Sequence, residues 1–284
     1  IQGVNLNITG VSLAVNVVTA VVSGTQKAIV KDANVTALSV TVTSNFNTGS
    51  STNNYAATAT VGSNSGNATG ISLVGGKTSS AKASVTAKVS AEVLDAVLTS
   101  VAGAVNVTTN AKSYALAQIR EQTVTVSLVN VSLIFVEADA AGTFTASMKA
   151  GAGKSSVGSV NVKSIYTVYS IAKTGAAGGL NASLVDANYN EAKANTSVSG
   201  NAGFGSDGDL TVLEDVLVSV EATADAIAEV KSPRLSISGV KVAVNKVTAN
   251  LNAQQNAYAF GTGSATVFGK VEILSKLNVP ESGA

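Results

Sequence analysis

Two arginines and a few carboxylates are the residues of this chain whose chemistry an enzyme could use. Arg120 and Glu121, with Arg234, Asp207 and Asp209, have the types needed for a polysaccharide-lyase site. Such a site requires acidic Ca²⁺ ligands and a basic group converging on one face. The arginines are separated by 234 − 120 = 114 residues and the acids recur at no fixed interval, so structural roles are expected for all five. Gly205-Ser-Asp-Gly-Asp209 has the Gly/Asp character of a Ca²⁺-binding nonapeptide, but it occurs once where such arrays repeat in tandem, and it reads as a turn. Gly153-Lys154-Ser155 ends like a phosphate-binding loop, yet the first glycine of that motif would fall at Met148, so it too reads as a turn. Tyr55, Tyr114 and Tyr169, at intervals of 59 and 55, read as rings stacked on successive structural repeats, with a sugar-binding stripe as the alternative. The pairs Thr41/Thr43 and Thr123/Thr125 suggest an ice- or crystal-binding lattice, but the first pair becomes Asn161/Lys163 and Ser219/Glu221 further on, so the lattice is not regular.

The remaining composition narrows the chemistry further. Among 284 residues there is no His, Cys or Trp. That excludes disulfides, thiolate or imidazole metal sites, and Ser-His-Asp or Cys-His catalysis. A net charge of +1 offers no electrostatic basis for nucleic-acid binding. No catalytic, cofactor-binding or metal-ligating residue is therefore expected, and no cofactor. With 45% hydrophobic and 12% charged residues the chain is not of the disordered type, and no apolar run reaches the roughly 18 residues of a membrane-spanning helix. Ile1-Gln2-Gly3-Val4 carries neither an initiator Met nor a secretory pattern, and reads as the start of a piece of a longer chain.

The elements that must position these residues are strands. Ser39-Val-Thr-Val-Thr43, Ala81-Lys-Ala-Ser-Val-Thr-Ala-Lys-Val89 and Ser159-Val-Asn-Val-Lys163 alternate small apolar with polar residues, the period of a strand with one wet face. Three motifs recur together. Ser39-Val-Thr-Val returns at Ala104, Ser159, Leu217 and Lys270, at steps of 65, 55, 58 and 53. Tyr114-Ala-Leu-Ala returns at Tyr169 and, without the ring, at Asp225. Gly10-Val-Ser-Leu returns at Gly70, Asn130, Asn181 and Gly239. Residues 1–284 thus form a single domain of four to five degenerate units of about 58 residues, with Ser/Asn/Gly clusters at the turns.

Units so poor in bulky residues must stack on one another to make a core. Propeller blades are shorter and richer in aromatics, and immunoglobulin-like sandwiches are longer, which leaves an all-β parallel β-helix, a solenoid with like strands over like strands. A coil of about 58 residues has a contour of at most about 190 Å, and five coils rise about 24 Å. Ala and Val cannot fill so wide a cylinder to native density. The coil must therefore be flattened into two long sheets about 10 Å apart, with open ends that invite end-to-end self-association.

Ser-Val-Thr-Val-Thr-Ser, Ala-Thr-Ala-Thr-Val-Gly, Gly-Ile-Ser-Leu-Val-Gly and Ala-Lys-Ala-Ser-Val-Thr-Ala resemble the repeats of large bacterial surface adhesins, those related to filamentous haemagglutinin and the leukotoxin-like filamentous adhesins. The resemblance runs from about Val4 to Leu274. It implies a right-handed parallel β-helix, secreted and displayed on the bacterial cell surface, that acts as a structural or adhesive segment without chemistry of its own. The partners it implies are neighbouring repeats of a parent chain and host or matrix glycans or proteins; nucleic acid is not among them. The alternative is a carbohydrate-binding or polysaccharide-degrading β-helix. The long beat departs from the shorter coils of many such proteins, and either one wide coil or two coils per repeat would account for it.

Overall fold

The structure, a computed structural model, describes residues 6–48, 56–62, 67–99, 101–120, 122–175, 180–231 and 235–278. They form fourteen strands and no helix, wound into five coils. The first coil comprises β1 (Leu6–Lys31), β2 (Asn34–Val35), β3 (Val40–Phe46) and β4 (Ala57–Val61). The second is β5 (Asn67–Leu98) and β6 (Val101–Arg120), and the third β7 (Gln122–Ala150) and β8 (Lys154–Gly175). The fourth is β9 (Leu180–Ser206), β10 (Asp209–Val212) and β11 (Val216–Lys231). The fifth is β12 (Leu235–Phe260), β13 (Ser264–Val267) and β14 (Val271–Leu277).

Every strand pairing is parallel. One sheet runs β1-β5-β7-β9-β12 and the other contains the second segment of each coil. The chain is therefore a parallel β-solenoid with two open sheets, in which each coil contributes one long strand to the first and one long or two shorter strands to the second. The 22 residues of β8 correspond to a sheet about 70 Å wide, against about 24 Å for the five-coil rise, so the molecule is a slab wider than it is tall.

The register refines the repeat. Val40, Val105, Val160, Val216 and Val271 form one column, at steps of 65, 55, 56 and 55. The first two steps are those of the Ser39 motif. The next two differ, because Leu217 belongs beside Asn161 and Glu272 rather than beside Ser159 and Lys270. The slip is by two residues, which leaves each side chain on the same face, so alternation alone could not detect it. The Gly10 motif is misaligned more widely: Gly70-Ile-Ser-Leu pairs with Thr125-Val-Ser-Leu128 and then with Asn181-Ala-Ser-Leu184. The Tyr114, Tyr169 and Asp225 positions are in register as expected.

Between the sheets lie residues that are mostly Ala and Val, including Ala138, Ala140 and Ala146 of β7 and Val160, Val162 and Val168 of β8. Larger side chains interrupt them, among them two stacked rings. Phe144 of β7 and Tyr166 of β8 are buried and stacked, with centroids 4.6 Å apart. Glycines make the room: a Cβ at Gly142 would overlap the Phe144 ring and one at Gly200 the Tyr166 ring. The core is thus filled by complementary volumes, along β7 in the first case and between neighbouring coils in the second. Hydroxyls bridge the same space, Ser170 to Thr196 at 2.8 Å and Ser164 Oγ donating to the Phe144 carbonyl at 3.3 Å.

At the corner where β7 passes to β8, backbones of successive coils come close. A Cβ at Gly151 would strike the Asp95 backbone, and one at Gly208 the Gly153 backbone. Gly261 sits there with φ +121°, a conformation that favours glycine.

Candidate functional site

Of the residues whose types suggested a lyase, the described arginine and the described acids do not converge. Asp209 begins β10 in register with Lys154, whereas Arg120 ends β6 in register with Gly175. That is 175 − 154 = 21 residues along β8, about 70 Å at the strand rise. Glu121 and Arg234 lie outside the described residues. Arg120 is exposed, and its Nε donates to Gln118 Oε1 at 2.8 Å.

Asp207 and Asp209 instead join coils at the glycine-rich corner. Asp207 pairs with Lys149, which also reaches Asp95 at 3.1 Å, and it accepts from the Thr262 backbone N–H and hydroxyl at 3.2 Å. Lys149 first, then the Thr262 N–H, hold the Asp207 carboxyl below the usual carboxylate range. Asp209 accepts from Ser264 Oγ at 3.0 Å. The Gly205–Asp209 segment is therefore a corner turn, closed by Ser206 Oγ on Gly208. Among the described residues no three acids group as metal ligands. Gly153-Lys154-Ser155 enters β8, where buried Ser155 Oγ accepts from the Leu98 N–H at 3.1 Å.

Tyr114 and Tyr169 do stack on successive coils, with ring centroids 5.1 Å apart and planes tilted by 30°. They stand on the outer face of the second sheet, half-buried, where Lys112 and Gln118 also point outward. Burial, with the nearby Asp225 carboxylate, raises the Tyr169 hydroxyl. Tyr55 lies outside the described residues, and the sheet there runs at a step of 58, with Ala57 beside Ala115.

Other charged groups form ladders along the stack. Glu137 lies between Lys82 and Lys193 of the adjoining coils, at 2.7 and 3.2 Å. The Lys82 hydrogen bond pulls the Glu137 carboxyl down, with Lys193 adding to it, and the same bond raises Lys82. Glu191 and Lys246 repeat the arrangement at 2.8 Å. Asparagines add further rungs, Asn161 to Asn106, Asn190 to Asn245 and Asn250 to Asn195, at 3.1, 2.8 and 2.9 Å.

Two features escape a reading by alternation. The pairing of the long strands skips Gly10, Leu73, Leu128, Leu184 and Gly239, positions in register, as at an irregularity that bends a strand. Beyond the bend the usual polarity is reversed. Asn130 and Asp186 are buried, and Asp186 accepts from Asn130 Nδ2 and Asn188 Nδ2, both at 2.8 Å. Outward, Val11, Val74, Val129, Val185 and Val240 form an unbroken column exposed by 62, 41, 36, 37 and 57%. Leu73, Leu128 and Leu184 sit beside it at the bend, also exposed.

Elsewhere on the long sheet, small outward residues leave a shallow open groove of ≈ 260 Å³ lined by Thr86, Lys88, Thr143, Ser199 and Gln254. Hydroxyl, amide and ammonium groups there offer hydrogen bonds. No protein-family model, curated protein or solved structure matches the chain.

Proposed function

We propose that this chain is a structural and adhesive β-solenoid segment of a large secreted or cell-surface bacterial protein, without chemistry of its own. The observation that carries this reading is the use of the charged side chains. Glu137, Glu191, Asp207 and Asp209 each bond to a neighbouring coil, and where two acids come together, as Asp95 and Asp207 do, a lysine lies between them. Groups arranged in that way hold a stack together and present no base or nucleophile to a substrate. The adhesive component rests on the valine column and on the outward Tyr114–Tyr169 pair, which have apolar and aromatic surface to offer host or matrix proteins and glycans.

Two assays test the proposal. Incubation with neutral and acidic polysaccharides should release no new chain ends, and turnover of any of them would replace it with an enzymatic reading. Binding to immobilised matrix proteins and glycans should be weakened by Val129→Ser with Val185→Ser, or by Tyr114→Ala with Tyr169→Ala. Binding that is indifferent to both pairs would remove the adhesive component.

A second reading, a carbohydrate-binding β-helix, is favoured by the tyrosine pair alone. In that case only the tyrosine substitutions affect binding, and glycans are the only ligands retained.

A further inference from the structure

The first and last strands of the long sheet resemble each other more than either resembles its neighbour. Following the register from β1 through β5, β7 and β9 to β12 puts Leu6 in the column of Leu235 and Lys31 in that of Phe260. The displacement is constant, 235 − 6 = 260 − 31 = 229, and both strands have 26 residues. At that displacement Gly10-Val-Ser-Leu-Ala-Val-Asn-Val-Val-Thr-Ala20 matches Gly239-Val-Lys-Val-Ala-Val-Asn-Lys-Val-Thr-Ala249 at 8 of 11 positions. Against β5, in register, the first segment matches at 2 of 11. The other sheet agrees on its inward residues: Val40, Val42, Ser44 and Phe46 share columns with Val271, Ile273, Ser275 and Leu277.

The last coil leaves this surface open. Val247, Leu251, Val271 and Ile273 belong to columns buried in the middle coils, yet they are exposed by 51, 45, 51 and 43%. The outer edges of β1 and β12 also have no strand partner among the described residues.

We infer that the β12/β14 edge of one copy receives the β1/β3 edge of a second copy of this chain, in the register that stacks coils within the chain. Several features fit this occupant. The edges match in length. Asn16 would extend the ladder of Asn190 and Asn245, while Thr19 and Gln26 would meet Thr248 and Gln255. Val18, itself exposed by 37%, and Val22 would cover Val247 and Leu251, and β3 would lie in register over Val271 and Ile273. Stacked identical amides and apolar residues are the usual content of strand-on-strand assembly. No charge would meet a charge: Lys241, Lys246, Glu272 and Lys276 would face Ser12, Val17, Thr41 and Asn45, and Lys27 and Lys31 would face Asn256 and Phe260. The inference stands on register alone, so its failure would leave the reading of the outer faces untouched.

The test uses the full chain and two variants with substitutions at the same four outward positions. The first is Leu13→Lys, Ser23→Lys, Val242→Lys and Asn252→Lys. Its like charges lie four coils apart within a molecule and oppose each other only across the junction. The second keeps the lysines at 13 and 23 and carries Val242→Glu and Asn252→Glu. Sedimentation velocity and small-angle scattering at rising concentration should show the unsubstituted chain associating, with length added along the stack in steps of about 24 Å. The all-lysine variant should need at least tenfold higher concentration to associate, and the charge-paired variant should associate at least as well as the unsubstituted chain. A chain that stays monomeric throughout would overturn the inference. So would loss of association in both variants, or retention in both.

Discussion

Phe144 and Tyr166, one on each sheet, stack with ring centroids 4.6 Å apart and planes inclined by only 20°. They are the two largest fully buried side chains in a core made mostly of Ala and Val, and they fit because Gly142 and Gly200 stand where their rings need space.

This pairing predicts a coupled response to mutation. Tyr166→Ala should cost about 3–5 kcal/mol, the usual result of truncating a buried ring. Gly200→Ala should cost about 1–3 kcal/mol by overpacking, and much less when Tyr166→Ala is also present. Urea titration of the two single variants and the double variant measures this. Additive losses would show that the glycine and the ring do not share a space.

The outer tyrosine pair should behave differently. Tyr114 and Tyr169 are half-buried on a solvated face, so Tyr114→Ala should cost about 1 kcal/mol, well under the loss from Tyr166→Ala in the same urea assay. A loss as large as that at Tyr166 would mean that the outer face is covered.

Asp186 should be a larger determinant of stability than any exposed ion pair. Asp186→Ala leaves the Asn130 and Asn188 amides without their acceptor inside the bend, at about 3 kcal/mol. Glu137→Gln, at a partly exposed site, should cost less than about 1 kcal/mol. Thermal unfolding of the two variants should rank them in that order, and the reverse order would contradict the burial of Asp186.

Stability should be level across neutral pH and fall on both sides. Glu137, Glu191 and Asp207 are held below their ordinary values by Lys82, Lys246 and Lys149. Their contribution is present above the unfolded carboxylate range and is lost as acid protonates them in the folded chain. Lys82, Lys149 and Lys246 are raised by the same partners, and burial pushes the Tyr166 hydroxyl up to about 12. Those contributions are complete below the unfolded values of 10.5 and 10.0 and are lost as pH rises through the folded ones. Urea midpoints measured between pH 2 and pH 12 should trace this plateau. A stability maximum in acid would contradict it.

The architecture was largely legible because its signal is redundant. Alternation, absence of helix-forming stretches and a repeat near 58 residues all indicate stacked strands, and the first two steps of the Ser39 motif are those of the sheet. The later steps were not legible, because Val-x-Val strings match equally well two residues apart and the face is unchanged by the slip. Polarity misleads at the bend. Val129, Val131, Leu133 and Phe135 have the pattern of an inner face but point outward, while Asn130 lies inside. The outward column of five valines therefore emerges only from three-dimensional register, since its members are spaced unevenly at 63, 55, 56 and 55 residues. Arg120 and the acids at 207 and 209 could be separated only once the width of the sheet was known.

Cysteine pairing tests the stacked register most directly, because the chain has no cysteine of its own. Asn161 and Leu217 are outward partners on adjoining coils, so their Cα atoms lie about 4.8 Å apart, within the range a disulfide bridges. Ser159 and Leu217, the pair suggested by motif matching, are offset by two residues and about 8 Å apart, beyond that range. Mild oxidation should link Asn161→Cys to Leu217→Cys rapidly and completely, while Ser159→Cys with Leu217→Cys stays reduced. Efficient linkage of the second pair, or failure of the first in a folded chain, would contradict the 56-residue coil on which the whole account rests.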